Sequence, residues 1–367
     1  MQAKFDFKDI SIVPEVISNI QSRDVVNVRN ETGKLPIIVS PMDTVVNGEN
    51  YEGFIIAGFE VCTPRGIHTN DDRVFTSFSL DEFEEYLNYY EEAQNQDMQI
   101  KILVDIANGH MKRLYDLVEK FYTIRHSKNH ILMIGNIANP KTYEVFAKLG
   151  VEYIRVGIGG GSACLTSANV GVHYPMASLI EECGQIKKTG GYDTKIVADG
   201  GFRSFDDIIK ALMLGADYVM LGGILNKCLE SCADTKLFKV IPLSKNKASY
   251  VWKKFPKLRK YFYKNFRGMS TKQVQKTWEK KRLRTSEGIV KVNKVDYTLM
   301  QWTNNFIDYL KSAMSYTNSL NLNEFKINHC WCCYSNCWWR CIFSCRTTSD
   351  INSSYLSSSH INNSFCC

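Results

Sequence analysis

The chain has 367 residues, 45 Lys+Arg against 38 Asp+Glu for a formal net charge of +7, and 44% hydrophobic residues. This composition excludes a disordered or fibrous chain, and the length excludes a peptide-sized binding module. The opening MQAKFDFKDI carries Lys4, Asp6, Lys8 and Asp9 with no apolar run behind them, so no signal peptide or membrane span is expected and a cytoplasmic location is the default. In chain order, β-rich runs are predicted at 36–40 (PIIVS), 101–107 (KILVDIA), 131–136 (ILMIGN), 152–157 (EYIRVG), 195–200 (KIVADG) and 217–223 (DYVMLGG). Between them, 140–150 (PKTYEVFAKLG) and 204–215 (SFDDIIKALMLG) read as amphipathic helices that close on Gly150 and Gly215. Strand-to-strand spacings of roughly twenty residues match βα units of a parallel sheet. No phosphate-binding GxGxxG follows the first strand, which favours a single-domain α/β fold of the TIM (β/α)8 barrel type over a doubly wound sheet. In such a barrel the residues just after each strand share one face. That places Asp43, Asp105, Asn108, Gly109, Asn136, the 157–166 loop, Asp199, Gly200, Gly201, Gly222 and Gly223 around a common mouth.

Two segments break the pattern. From Lys236 to Trp278 there are thirteen Lys/Arg and no acid, and taking those from the net +7 leaves the rest of the chain at −6. Tyr250, Trp252, Phe255, Tyr261, Phe262, Tyr263 and Phe266 are interleaved with the cations, a combination that single-stranded nucleic acid sites use. The plainer expectation is a solvated basic insertion, over about 236–267, whose aromatics pack onto the barrel; nucleic acid is not an expected partner. The barrel domain is drawn over 1–325 and a Cys/Ser-rich tail over 326–367. Cys333, Cys337, Cys341 and Cys345 recur every four residues there, yet no paired CxxC…CxxC knuckle is present, so a poorly ordered or frame-shifted tail is expected in place of a zinc module. Eight of the thirteen cysteines lie in those last 42 residues; the others are Cys62, Cys164, Cys183, Cys228 and Cys232. In a reducing compartment such scattered thiols stay free, which leaves the question of whether one is reactive.

The densest chemical signal is VGIGGGSACLT at 156–166. Gly157, Gly159, Gly160 and Gly161 allow tight turns that present backbone groups to a phosphate or a cation. Cys164 stands on that loop, after Ser162 and two residues before Thr166, where a thiolate could act as a covalent nucleophile. Asp199, Gly200 and Gly201 after one strand and Gly222 and Gly223 after the next offer a carboxylate for ribose hydroxyls and amides for a phosphate. Together they describe a nucleotide monophosphate site.

VGIGGGSACLT, ADGGFRS (198–204), VMLGG (219–223), FRGMS (266–270), RTSEG (284–288), SPMDTV (40–45) and VDIANGH (104–110) resemble, in order and spacing, the family of IMP dehydrogenase and GMP reductase, over residues 5–318. The resemblance implies a (β/α)8 barrel, a homotetramer, and a cysteine that attacks C2 of a purine nucleotide while a nicotinamide cofactor exchanges hydride there. The stretch from Cys62 to Lys101 is too short for the tandem CBS insertion usual in the dehydrogenases. Only eighteen residues separate Gly268 from Glu287, too few for their long flap, and the DIANG and RTSEG segments resemble the reductase branch. The implied activity is NADPH-dependent deamination of GMP to IMP. Oxidation of IMP to XMP with NAD is the alternative, and a catalytically impaired barrel that binds nucleotide or RNA is another.

Carried over by resemblance, Cys164 is the nucleophile, and Thr166 and Glu287 activate it and protonate the leaving ammonia. Ser162, Asp199, Gly200, Gly201, Gly222, Gly223, Gly268, Met269, Ser270, Arg284, Thr285, Ser286 and Gly288 hold the nucleotide. Ser22, Arg23, Asp105, Ile106, Ala107, Ser312, Ala313, Met314 and Ser315 fall where the reductases touch NADPH. Gly159, Gly161, Cys164 and Ser167 resemble a monovalent cation (K+) site, with Ser167 where the family usually has Arg. The family's HK motif is replaced by CTPRGIHTN (62–70), so Arg65 or His68 stands nearest its lysine, and Gly160 takes the place of a proline.

Overall fold

The computed structural model describes residues 3–67, 69, 71–92, 99–124, 130–161, 164–268, 271, 288–327 and 331–333. After a lead-in strand β1 (Ile10–Ile12), eight parallel strands follow: β2 (Ile37–Val39), β3 (Glu60–Cys62), β4 (Val74–Phe78), β5 (Lys101–Asp105), β6 (Ile131–Ile137), β7 (Tyr153–Val156), β8 (Lys195–Asp199) and β9 (Tyr218–Leu221). They close into a barrel, β9 pairing back onto β2 through Ile38↔Met220. The helices α1 (Tyr51–Ile56), α2 (Leu80–Glu92), α3 (Lys112–Thr123), α4 (Pro140–Lys148), α5 (Thr166–Val170), α6 (Met176–Gly190), α7 (Phe205–Met213) and α8 (Gly223–Asn226) are distributed along this run.

Period-two alternation builds two cores from the same strands. Ile38, Cys62, Phe75, Leu103, Met133, Val197 and Met220 fill the barrel interior. Their neighbours Ile37, Val39, Val61, Val74, Ile102, Val104, Leu132, Ile134, Ile196, Ala198, Val219 and Leu221 face outward to the helices. Two barrel strands are missing from the predicted runs: Glu60–Cys62, which is only three residues long, and Val74–Phe78, where Thr76 and Ser77, both buried, interrupt the apolar pattern.

The insertion is a small module with its own core. Strands β10 (Thr235–Leu237) and β11 (Ile241–Leu243), helix α9 (Lys245–Lys254), and strands β12 (Phe262–Arg267) and β13 (Val290–Lys294) form a sheet of order β11-β10-β12-β13. Here the expectation that its aromatics pack onto the barrel needs correction. Trp252 and Phe262 join Ala248 and Val295 in a separate cluster, because the sheet has an apolar face of its own and α9 covers it. Phe266 reaches the barrel core, whereas Tyr250 and Phe255 stay 61% and 46% exposed.

The chain returns through α10 (Leu299–Tyr316) and α11 (Leu322–Ile327) to a last strand β14 (Trp331–Cys333), antiparallel to β1. Trp331 meets Phe5 edge-on at 5.5 Å, and its indole N–H donates to Glu181 Oε1 at 3.3 Å. The first residues of the Cys-rich segment are thus held by the N-terminal strand; Cys337, Cys341 and Cys345 lie outside the described residues. Among the described residues no three His, Cys, Asp or Glu side chains are grouped to hold a metal, and no helix is long and apolar enough to cross a membrane.

Candidate active site

At the C-terminal end of the barrel the loops after β7 and β8 pack backbone on backbone. Gly157 has φ +129°, and a Cβ there would fall 2.3 Å from the Asp199 carbonyl oxygen. Gly200, at φ +92°, would place a Cβ 3.1 Å from the Gly161 nitrogen, so both positions require glycine. Gly161 O accepts the Cys164 amide at 2.9 Å, which folds the loop back and starts α5 at Thr166. The Cys164 thiol donates to Thr166 Oγ1 at 3.3 Å, and Ser167 Oγ donates to Gly159 O at 3.0 Å.

A second arm arrives from the insertion. Cys164 forms an isolated antiparallel bridge with Gly288, and the Gly268 amide donates to Ile289 O at 3.2 Å, so one end of the β12–β13 strand pair lies against the backbone of Cys164. Arg267, the last residue of β12, is tied to Asp43 of the loop after β2, with Nε 3.1 Å from Oδ1. The loops after β9 and β2 also touch: a Cβ on Gly222 would lie 2.6 Å from Met42 Sδ, and Asn226 donates to Thr44 O at 2.8 Å.

Beneath these loops runs a charge network that the motif reading did not include. Arg155 of β7 is 5% exposed. Its Nη1 donates to Asp105 Oδ1 at 2.6 Å and its Nη2 to Asp199 Oδ2 at 2.8 Å. Asn136 adds a donor to Asp199 Oδ2 at 2.7 Å and another to Gly157 O at 2.8 Å. Arg65 Nε stands 3.4 Å from Asp105 Oδ2. Burial alone would raise the Asp105 pKa, but the Arg155 and Arg65 guanidiniums outweigh it and hold the carboxyl below its ordinary value. Parity was the available signal for Arg155: it shares its strand face with Tyr153, which packs on the interior core, and a charge placed there needs partners.

An IMP dehydrogenase / GMP reductase domain matches residues 64–336. The chain belongs to that family. Among curated relatives, the GMP reductase of Aeromonas salmonicida (strain A449) is 31% identical over 255 residues, covering 60% of this chain and 69% of that protein. GMP reductase 1 of Homo sapiens is 30% identical over 254 residues, 61% of this chain and 69% of its own length. GMP reductase 1 of Mus musculus is 29% identical over 256 residues with the same two coverages. The family is one of oxidoreductases, and its motifs can now be placed.

Cys164, Thr166, Asp199, Gly200, Gly201, Gly222, Gly223, Gly268, Gly288, Asp105, Ile106 and Ala107 meet around the mouth. Ser22, Arg23, Ser312, Ala313, Met314 and Ser315 do not. α10 starts near the mouth, where Leu299 N donates to Glu230 and Tyr297 to Ile224 O, and its 18 residues run about 27 Å away from it. At its far end Ser18 donates to Ser315 O at 2.6 Å, and Asn30 donates to the hydroxyl of Tyr218, the first residue of β9. Ser22 shares a groove there with Asn19, Gln21, Asn318 and Glu324. Ser162, Met269, Ser270, Arg284, Thr285, Ser286, Glu287 and His68 lie outside the described residues. Of the other thiols before residue 326, Cys62, Cys183 and Cys228 are buried, and burial pushes their pKa far up; burial brings Cys232 to about 11.

Proposed function

We propose that this chain converts GMP to IMP by reductive deamination, with NADPH as reductant and release of ammonia. The pairing of Cys164 with Gly288, beside the Cys164–Thr166 contact, carries the reading. In it the Cys164 thiolate adds to C2 of the purine. Thr166 relays a proton and Glu287, the neighbour of Gly288 in sequence, supplies it to the exocyclic amine. The C2–N bond breaks, ammonia departs, and C2 stays on Cys164 as a thioimidate. Bound NADPH supplies a hydride to that carbon. The C–S bond then breaks, returning the electron pair to Cys164 and freeing IMP.

Asp199, held in place by Arg155 and Asn136, accepts the ribose hydroxyls, while the backbone of Gly200, Gly201, Gly222 and Gly223 takes the phosphate. Arg65, with its side chain 18% exposed beside Asp105, offers a cation suited to the cofactor's phosphates near Ile106 and Ala107. Ser22, Arg23 and Ser312 to Ser315 sit at the other end of the barrel, so in this reading they serve the cofactor of a neighbouring copy in a homotetramer. Gly159 O and Gly161 O each accept one internal donor, which leaves a lone pair on each; with the Cys164 carbonyl and the Ser167 hydroxyl they form an oxygen set that suits K+. A cation held there would stiffen the Cys164 loop.

The test is the purified chain with GMP and NADPH, read by loss of reduced-nicotinamide absorbance and by chromatography. One IMP and one ammonia per NADPH consumed is expected. XMP formed from IMP and NAD, without reduction of GMP, would move the chain to the dehydrogenase branch.

A further inference from the structure

The insertion carries charge on residues that none of the assigned catalytic or nucleotide-binding positions includes. Lys245 pairs with Glu49, but Lys247, Lys253, Lys254 and Lys257 are exposed and carry no ion pair among the described residues. Helical spacing puts Lys247, Tyr250, Lys253 and Lys254 on one face of α9, opposite the buried Ala248 and Trp252. Phe255 follows at the helix end, and Lys257 stands in the next turn. The module has a core in which rings can be hidden, and Trp252 and Phe262 are hidden in it. Tyr250 and Phe255 are left outside, 61% and 46% exposed, between the unpaired lysines.

We propose that this face of α9 binds single-stranded nucleic acid, with Lys247, Lys253, Lys254 and Lys257 on successive phosphates and an unpaired base stacked on Tyr250. The cation row supplies the sequence-independent attraction and the ring supplies a π-face open to any base. A duplex would offer phosphates but no free base face for the ring. An anionic membrane fits less well, because no exposed residue of α9 is aliphatic and the two rings on this face stand between cations instead of forming a continuous apolar stripe. The face lies on the outside of the insertion, opposite its core, and includes none of the residues assigned to the nucleotide site, so it stands or falls apart from the reaction proposed above.

The test uses the full chain and a fluorescein-labelled oligouridylate, followed by anisotropy across a potassium chloride series. Four phosphate contacts predict a log–log salt slope of about −3. The combined Lys247→Gln, Lys253→Gln, Lys254→Gln and Lys257→Gln variant should flatten that slope and abolish measurable binding. Tyr250→Ala should weaken binding about tenfold at every salt concentration with the slope unchanged, and Tyr250→Trp should restore it. Unchanged thermal melting of each variant shows that the fold is intact, since all five side chains project into solvent. Absence of binding by the wild-type chain at the lowest salt overturns the proposal. So does a silent Tyr250→Ala, or equal competition by heparin or phosphatidylserine vesicles, either of which would reveal a general polyanion surface.

Discussion

At the barrel mouth the buried Arg155 is shared by two carboxylates, whereas in the insertion the equally buried Lys264, 1% exposed, donates to neutral oxygens and has no ion pair among the described residues. Its Nζ donates to Leu229 O at 2.8 Å, Ser231 O at 2.6 Å and Ser231 Oγ at 2.9 Å. Burial is the larger influence on Lys264 and pushes its pKa down to about 8, while Asp199 and Asp105 offset burial at Arg155 and keep it protonated. A guanidinium with two facing carboxylates is a fixed charge that can orient a reacting nucleotide. An ammonium solvated by carbonyls can lose its proton, which suits an anchor beneath a surface module better than a reaction centre.

The sharpest way to break this comparison is at the thiol resting on the Arg155 side. Cys164→Ala should lower turnover by about 10^4-fold or more while GMP binding, measured by calorimetry, survives through phosphate and ribose contacts. Cys62, Cys183, Cys228 and Cys232 should each be replaceable with turnover retained. Next in size, Arg155→Met leaves the buried Asp105 with Arg65 alone and the partly buried Asp199 with Asn136 alone among the described residues, and a cost of about 3 kcal/mol is expected in denaturant titrations. Because the folded-state pKa of Asp105 is lowered, its stabilising contribution is present above the ordinary carboxylate value and lost as pH falls through the folded one. The Arg155→Met penalty should therefore shrink toward acid pH, and a pH-independent penalty would count against the network.

Lys264 should behave in the opposite sense. Its folded-state pKa of about 8 lies below the ordinary 10.5, so between these values the unfolded chain binds more protons and stability rises with pH. The wild-type advantage over Lys264→Met should grow through that window by at most about 1 kcal/mol per pH unit. Equal pH profiles would show that the ammonium is not desolvated. The smallest effect concerns the exposed cations: Lys253→Gln, Lys254→Gln, Lys257→Gln and Lys260→Gln together should raise the Michaelis constants no more than a few-fold at low ionic strength and leave kcat unchanged. Constants that do not change with ionic strength would show that these cations do not draw the anionic substrates toward the barrel mouth.

The barrel and its loops were legible because glycine and period-two alternation are local signals. VGIGGGSACLT marks the tight loop, and Ile102, Leu103 and Val104 alternate between two cores as a barrel strand must. β4 is hidden because Thr76 and Ser77 break its apolar run, although the barrel buries both. Arg155 looked like an ordinary polar interruption, since its meaning depends on Asp105 and Asp199, fifty and forty-four residues away. The insertion's separate core was equally invisible: composition counts aromatic rings but does not say which of them the sheet covers.

The pairing of Ile10–Ile12 with Trp331–Cys333 has a consequence for biosynthesis. The lead-in strand has its described partner more than three hundred residues downstream, so it can dock its edge only after all eight barrel strands have been made. Closure of this two-stranded seam is therefore a late folding event, and a nascent chain stopped before Trp331 carries an open strand edge at Ile10–Ile12.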